Sequence, residues 1–191
     1  MKFRNPIILA SASPRRIQLL RQIGIECDVH PSNIDEETDH KNPAALVEDL
    51  ALRKAREVGS RFPKGIVIGA DTIVVLDGNV LGKPKDAGDA KRMLRTLSGR
   101  THTVYTGFCI LDVETNKNVC DHEATEVTFR ELDDKEIADY VASGSPMDKA
   151  GSYGIQDDFG AVFVTRIAGD YYTVVGLPLA KLYTRLKEFA Q

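Results

Sequence analysis

The apolar run Pro6-Ile7-Ile8-Leu9-Ala10 passes without a break into Ser11-Ala12-Ser13-Pro14-Arg15-Arg16, and apolar residues follow at helical spacing at Ile17, Leu19, Leu20 and Ile23. This is a strand that turns directly into a helix, which restricts the chain to folds that join the two at one corner. Ser13 suits the N-cap and Pro14 the first helical position. The arginines go against local preference, because positive charge in a first helical turn costs about 0.3–1 kcal/mol against the helix dipole. Backbone N–H groups, the Ser11 and Ser13 hydroxyls and the Arg15 and Arg16 guanidiniums would converge there as a site for a polyanion. The plainer alternative is a surface arginine pair on an ordinary capped helix.

The remaining elements alternate irregularly. Ile7–Ser11 and Ile25–His30 read as strands around a helix Pro14–Ile23 that Gly24 stops. Ser32–Asn42 reads as an acidic loop, and Asn42-Pro43 caps a helix to about Arg61. Ile66–Gly69 is a short apolar strand. Ile73–Leu76 and Val80–Leu81 flank Asp77-Gly78-Asn79 as a hairpin. Asp86–Leu97 is a helix, and His102–Val113 and Val119–Arg130 are long strands. Asp133 caps a helix to Ser143, with Glu136 in the capping-box position. Gly144–Gly160 is irregular. Ala161–Ile167 and Tyr172–Val175 read as strands around Gly169-Asp170, before a closing helix Leu177–Phe189. Strands and helices without strict alternation indicate a mixed α/β fold with a long curved sheet. No repeat or linker divides the 191 residues, so one domain, 1–191, is expected.

Several function classes drop out. No apolar run approaches the ~18 residues of a membrane span, and the N-terminal segment lacks the pattern of a signal peptide. The net charge of −3 argues against bulk nucleic-acid binding. Three widely spaced cysteines, Cys27, Cys109 and Cys120, suit a reduced, cytoplasmic setting. Cys109 and Cys120 could face each other across a hairpin, with half-buried packing the expected role.

Asp71, in Gly69-Ala70-Asp71-Thr72, sits at the end of a buried strand, where α/β folds place active sites; a turn residue is the alternative. Glu36 lies in the acidic loop, as solvated charge or, with Asp71, as an oxygen ligand to a hard cation such as magnesium. Gly78–Pro84 approximates a phosphate-binding loop but has three residues between its glycines and Pro84 in place of Ser or Thr. Lys83 can still meet phosphate as a point charge. His30, His40, His102 and His122 show no ligand spacing, and His122-Glu123-Ala124-Thr125-Glu126 reads as a strand face. The stretch Ser145–Gln156 is dense in small residues and is either a surface loop or a functional one. Gln156 can offer a donor and an acceptor to one edge of uracil or thymine.

Together these segments resemble the Maf family of nucleotide pyrophosphatases. The matching pieces are Ser11–Arg16, Leu50-Ala51-Leu52-Arg53-Lys54-Ala55, Gly69–Thr72, Gly82-Lys83-Pro84, Leu97-Ser98-Gly99-Arg100-Thr101-His102, Asp148–Gln156 and Val175-Gly176-Leu177-Pro178, in the family's order over nearly the whole chain. The resemblance implies an elongated, inosine-triphosphatase-like α/β fold with two lobes around a cleft. It implies hydrolysis of a nucleoside triphosphate to the monophosphate and pyrophosphate with a divalent metal, Mg²⁺ or Mn²⁺, and a homodimer. The family's proton acceptor falls on Asp71 and its substrate-selecting positions on Arg15, Thr72 and Gln156, the pattern of the branch acting on dTTP, UTP and modified uridine triphosphates. Arg15, Arg16, Lys54, Lys83 and Lys149 would then neutralise the triphosphate. Base and metal-ligand roles both stand open for Asp71 and Glu36.

Two further functions compete with nucleotide-pool house-cleaning. One is the branch acting on 7-methyl-GTP. The other is a cell-division regulator that senses nucleotide without hydrolysing it. Gln156 with Arg15 and Thr72 favours the pyrimidine branch over the first. The full set of acids and cations favours an enzyme over the second.

Overall fold

The structure is a computed structural model that describes residues 3–156 and 159–189. Asp157 and Asp158, inside the stretch expected to be irregular, lie outside the described residues. Among the described residues, seven strands form one mixed sheet: β1 (Ile7–Leu9), β2 (Asp28–Val29), β3 (Ile66–Leu76), β4 (Asn79–Leu81), β5 (Thr101–Asp112), β6 (Asn118–Phe129) and β7 (Val164–Ala168). Their order is β2-β1-β3-β5-β6-β7, with β4 paired to β3. β1 pairs in parallel with β2 and β3, whereas β4 and β7 pair antiparallel with β3 and β6. The helices are α1 (Pro14–Gln22), α2 (Pro43–Gly59), α3 (Ala87–Leu97), α4 (Asp134–Ala142), α5 (Tyr171–Val175) and α6 (Leu179–Leu186). The mixed α/β class expected from the sequence is the one observed.

The chain forms two compact units, and β3, β5 and β6 each contribute to both. The first holds residues up to Asp71, Thr106–Glu123 and the segment from Gly176. Its core includes Ile8, Ala10, Ala55, Val58, Val67 and Leu111. The second holds Thr72–Tyr105 and Ala124–Val175, with a core that includes Leu94, Val104, Phe129, Tyr140, Tyr153 and Phe163.

Local signals hold where backbone groups are satisfied nearby. The Asn42 side chain accepts from the N–H groups of Ala44 and Ala45, and Asp86 accepts from Asp89. Asp133 and Glu136 form the full capping box. Asp77 and Gly78 both have positive φ at the β3–β4 turn, as a two-residue hairpin requires.

Other expectations are corrected. Ile25–His30 shrinks to Asp28–Val29, because the Ile25 N–H closes the end of α1 by donating to the Leu20 carbonyl at 3.0 Å. Tyr172–Val175 is helical, because the Asp170 carboxylate accepts from the Thr173 N–H and hydroxyl at 2.6 and 2.7 Å and caps a turn there. Cys109 and Cys120 form a disulfide rather than merely packing. The β5–β6 hairpin sets them opposite each other with Cα atoms 4.1 Å apart. Finally, β3 does not stop at Gly69 but continues through Asp71 to Leu76.

Candidate functional site

The continuity of β3 follows from what its polar residues meet. A Cβ on Gly69 would lie 2.1 Å from the Ala51 carbonyl oxygen and 2.9 Å from the Ala55 nitrogen. The glycine therefore lets the α2 backbone come against the strand. Two residues on, with its side chain on the same face, Asp71 meets Lys54 of α2: Nζ donates to Oδ1 at 2.6 Å. Both residues are buried. A buried carboxylate inside a strand is tolerated because it is paired.

Lys54 Nζ also lies 2.6 Å from a carboxylate oxygen of Glu36, whose side chain is about half exposed. Arg53, the preceding residue on α2, explains how the acidic loop arrives there. Its guanidinium donates to the Glu37 carbonyl at 3.1 Å and to the Asp35 carbonyl. The loop is thus tied to α2 on both sides of Glu36. Sequence reasoning gave Arg53 no role. Its place beside Lys54 was the available signal.

The corner before α1 is built in the same unit. Ser13 stands at the N-cap and Pro14 at the first helical position, but the Ser13 side chain makes no capping hydrogen bond, contrary to expectation. Instead the Ser13 N–H donates to Oγ of the buried Ser11 at 3.2 Å. Arg16 acts as a brace. Its Nε donates to the Gly176 carbonyl at 2.9 Å, and Nη1 donates to the Ala70 carbonyl at 2.9 Å and to Ser11 Oγ at 3.1 Å. Burial pulls the Arg16 pKa down, and Asp71 and Glu36 push it back up while Arg15 adds to the lowering. These charges therefore share one environment.

The other expected residues belong to the second unit, where Thr72 continues the strand and is half-buried. Lys83 is exposed, and the neighbouring Gly82 carbonyl accepts from the Gly151 N–H at 3.0 Å. Lys149 folds back on its own loop, donating to the Ser145 carbonyl and, at 2.8 Å, to Asp148. Gln156 is half-buried, and its enclosed Oε1 has no hydrogen-bond partner among the described residues.

One cluster was not visible in the sequence. Glu48, Asp121 and His122 bring potential ligand atoms within 4.8 Å of one another, although the histidines showed no ligand spacing. Contact between α2 and β6 assembles it, which spacing along the chain cannot reveal. Its members already pair with protein groups: His122 Nδ1 lies 2.6 Å from Glu48, and Asp121 accepts from Arg185 at 2.8 Å. By contrast Glu36 and Asp71 form an all-oxygen pair around one ammonium, a donor chemistry that fits a hard divalent cation.

Comparison with known proteins places the chain in a family. The family model described as "Maf-like protein" matches residues 6–189. A dTTP/UTP pyrophosphatase of Bacillus cytotoxicus is 52% identical over 95% of this chain and 94% of its own length. One of Dictyoglomus turgidum is 47% identical over 97% of each. A solved nucleoside-triphosphatase, the dITP/XTP pyrophosphatase of Mycobacterium abscessus, is 17% identical with a TM-score of 0.43, covering 66% of this chain and 75% of its own, a likeness too low to carry an argument. No described helix is long and apolar enough to cross a membrane. With the family model spanning all but the ends and relatives at about half identity over nearly the full length, the chain belongs to the Maf family.

Proposed function

We propose that this chain hydrolyses dTTP and UTP, including modified uridine triphosphates, to the monophosphate and pyrophosphate. The reading draws on near-full-length relatives named for that activity. The observation that carries it is the Glu36–Lys54–Asp71 array, two carboxylates held by one buried ammonium beside the N-terminal corner of α1.

In this reading Asp71 accepts a proton from the attacking water. The water oxygen bonds to the α-phosphorus, and the bond from that phosphorus to the bridging oxygen breaks, so pyrophosphate leaves. Lys54 orients the Asp71 carboxylate and offsets its charge. The α1 N–H groups, Ser11, Ser13, Arg15, Arg16, Lys54, Lys83 and Lys149 supply the positive field that a polyphosphate needs. For Arg16 this is long-range charge as much as contact, since it already bonds protein carbonyls. Glu36 and Asp71 would hold Mg²⁺ or Mn²⁺, which when bound neutralises phosphate charge and lowers the pKa of bound water. Arg15, Thr72 and Gln156 select the substrate, with Gln156 on the base. A homodimeric state and a role in cell division come from the family resemblance, and a cytoplasmic setting from the wide spacing of the three cysteines.

The deciding experiment is a triphosphate panel, including 7-methyl-GTP, with products followed by phosphorus NMR. Monophosphate and pyrophosphate from UTP and dTTP are expected, only with a divalent cation. Diphosphate and orthophosphate as first products, or preference for 7-methyl-GTP, would overturn the reading.

A further inference from the structure

Among its described residues, the loop carrying Gln156 holds only short 3-10 turns, Ser145–Asp148 and Ala150–Ser152. Four successive residues are instead tied to four different places in the second unit. The Gly151 N–H donates to the Gly82 carbonyl at 3.0 Å, and the Ser152 hydroxyl lies 3.1 Å from Met93 Sδ. The Tyr153 hydroxyl lies 2.8 Å from His102 Nε2, and the Gly154 N–H donates to the Tyr140 hydroxyl at 3.2 Å. Ser152 is fully buried yet has φ of 63°, a conformation a non-glycine residue keeps only when its surroundings impose it. A Cβ on Gly151 would lie 2.9 Å from a Val74 methyl, so the loop is also pressed onto β3.

Within this set the His102–Tyr153 bond is the costly one. His102 and Tyr153 are 2% and 5% exposed. They form an edge-on group with Phe129, whose ring centroid is 5.0 Å from His102 and 4.7 Å from Tyr153. His102 Nδ1 is enclosed and has no hydrogen-bond partner among the described residues. An apolar side chain would remove the unpaired Nδ1 but leave the buried Tyr153 hydroxyl without this partner. What histidine adds there is the bond to the phenol. Tyr153 stands three residues before Gln156, within about 10 Å of chain, close enough for a shift of Tyr153 to be passed along the backbone to Gln156. Recognition by one amide is sensitive to displacements of about 0.5 Å.

We propose that the His102–Tyr153 hydrogen bond is the positioning device that holds Gln156 in register with the nucleobase. This rests on Gln156 being the base reader. Burial keeps His102 neutral down to about pH 4 and pushes the Tyr153 phenol up, so the bond keeps one protonation form around neutral pH.

The test compares UTP and CTP kinetics, with melting temperatures, for Tyr153→Phe, His102→Leu, His102→Gln, Gln156→Leu and the double variant Tyr153→Phe/Gln156→Leu. Tyr153→Phe should lower kcat/KM for UTP about tenfold, mainly through KM, with little change for CTP. The UTP-to-CTP ratio narrows as a result. His102→Gln, which keeps a side-chain hydrogen-bonding group, should retain more of the ratio than His102→Leu. In the Gln156→Leu background, Tyr153→Phe should leave the ratio unchanged. A wild-type ratio in Tyr153→Phe, while Gln156→Leu narrows it, would overturn the positioning role and leave the base reader intact. A wild-type ratio in Gln156→Leu would overturn the base reader and the positioning role with it. Should Tyr153→Phe fail to fold, the two His102 variants decide: equal ratios in both would overturn the proposal.

Discussion

Lys54 Nζ stands 2.6 Å from Asp71 Oδ1, with both side chains about nine-tenths buried. The second carboxylate on the same ammonium, from Glu36, is far more open to solvent. The inner acid is therefore fixed and the outer one adjustable, a division that suits a reacting carboxylate behind a more accessible ligand.

Asp71→Asn keeps shape and removes charge. If Asp71 takes the proton, kcat falls by about 10²–10⁴ with little change in KM. Steady-state kinetics and a metal titration read this together. A loss concentrated in metal affinity would leave Asp71 the ligand role alone, and near-normal turnover would remove it from catalysis.

Gly69→Ala places a Cβ against the Ala51 carbonyl, a backbone atom that cannot swing away. The α2 helix must shift, so a loss of about 1–3 kcal/mol in stability is expected. Because the shift separates Lys54 from Asp71, activity should fall too. An unchanged melting curve would contradict the close approach.

Arg16→Ala tests the brace. From the helix dipole alone, removing this charge would leave stability unchanged or slightly higher. In the structure it strips donors from the Ala70 and Gly176 carbonyls. The expected result is a loss of about 1–3 kcal/mol without ligand. A melting temperature equal to wild type would restore the pure phosphate-binding role.

Gln156→Leu removes both polar groups of the amide. Cytosine lacks the ring N–H that Oε1 would accept. The wild-type protein should therefore prefer UTP over CTP by roughly 10- to 100-fold in kcat/KM, and the variant should narrow that gap. Full UTP preference in the variant would pass base selection to Arg15 or Thr72.

His102 gives stability a dependence on pH. Its pKa falls from 6.5 to about 4 on folding, because burial disfavours the charged ring beside Tyr153 and Phe129. Between those values the unfolded chain binds a proton that the folded chain does not, so this contribution is complete above about pH 6.5 and is lost as pH falls towards 4. Its size is of order 3 kcal/mol. Urea unfolding from pH 7.5 to 4.5 should show a steeper loss for wild type than for His102→Gln. Parallel curves would mean that His102 protonates freely when folded.

The local features were legible because each is satisfied within a few residues. The caps at Asn42 and Asp133 and the Asp77-Gly78 turn all use neighbouring backbone groups. Residue chemistry also singled out Asp71, Glu36 and Gln156. What the tertiary structure decided is partnership. Gly69-Ala70-Asp71 has the composition of a turn, yet it stays extended because α2 presses on Gly69 and Lys54 pairs with Asp71. Arg16 looked ready for an anion, but two carbonyls from distant segments reach it first. His102 meets Tyr153 across 51 residues, and Glu48 meets His122 across 74. Leaving a buried polar group unpaired is costly, and which residue provides the partner depends on the segments folding brings together, not on their spacing along the chain.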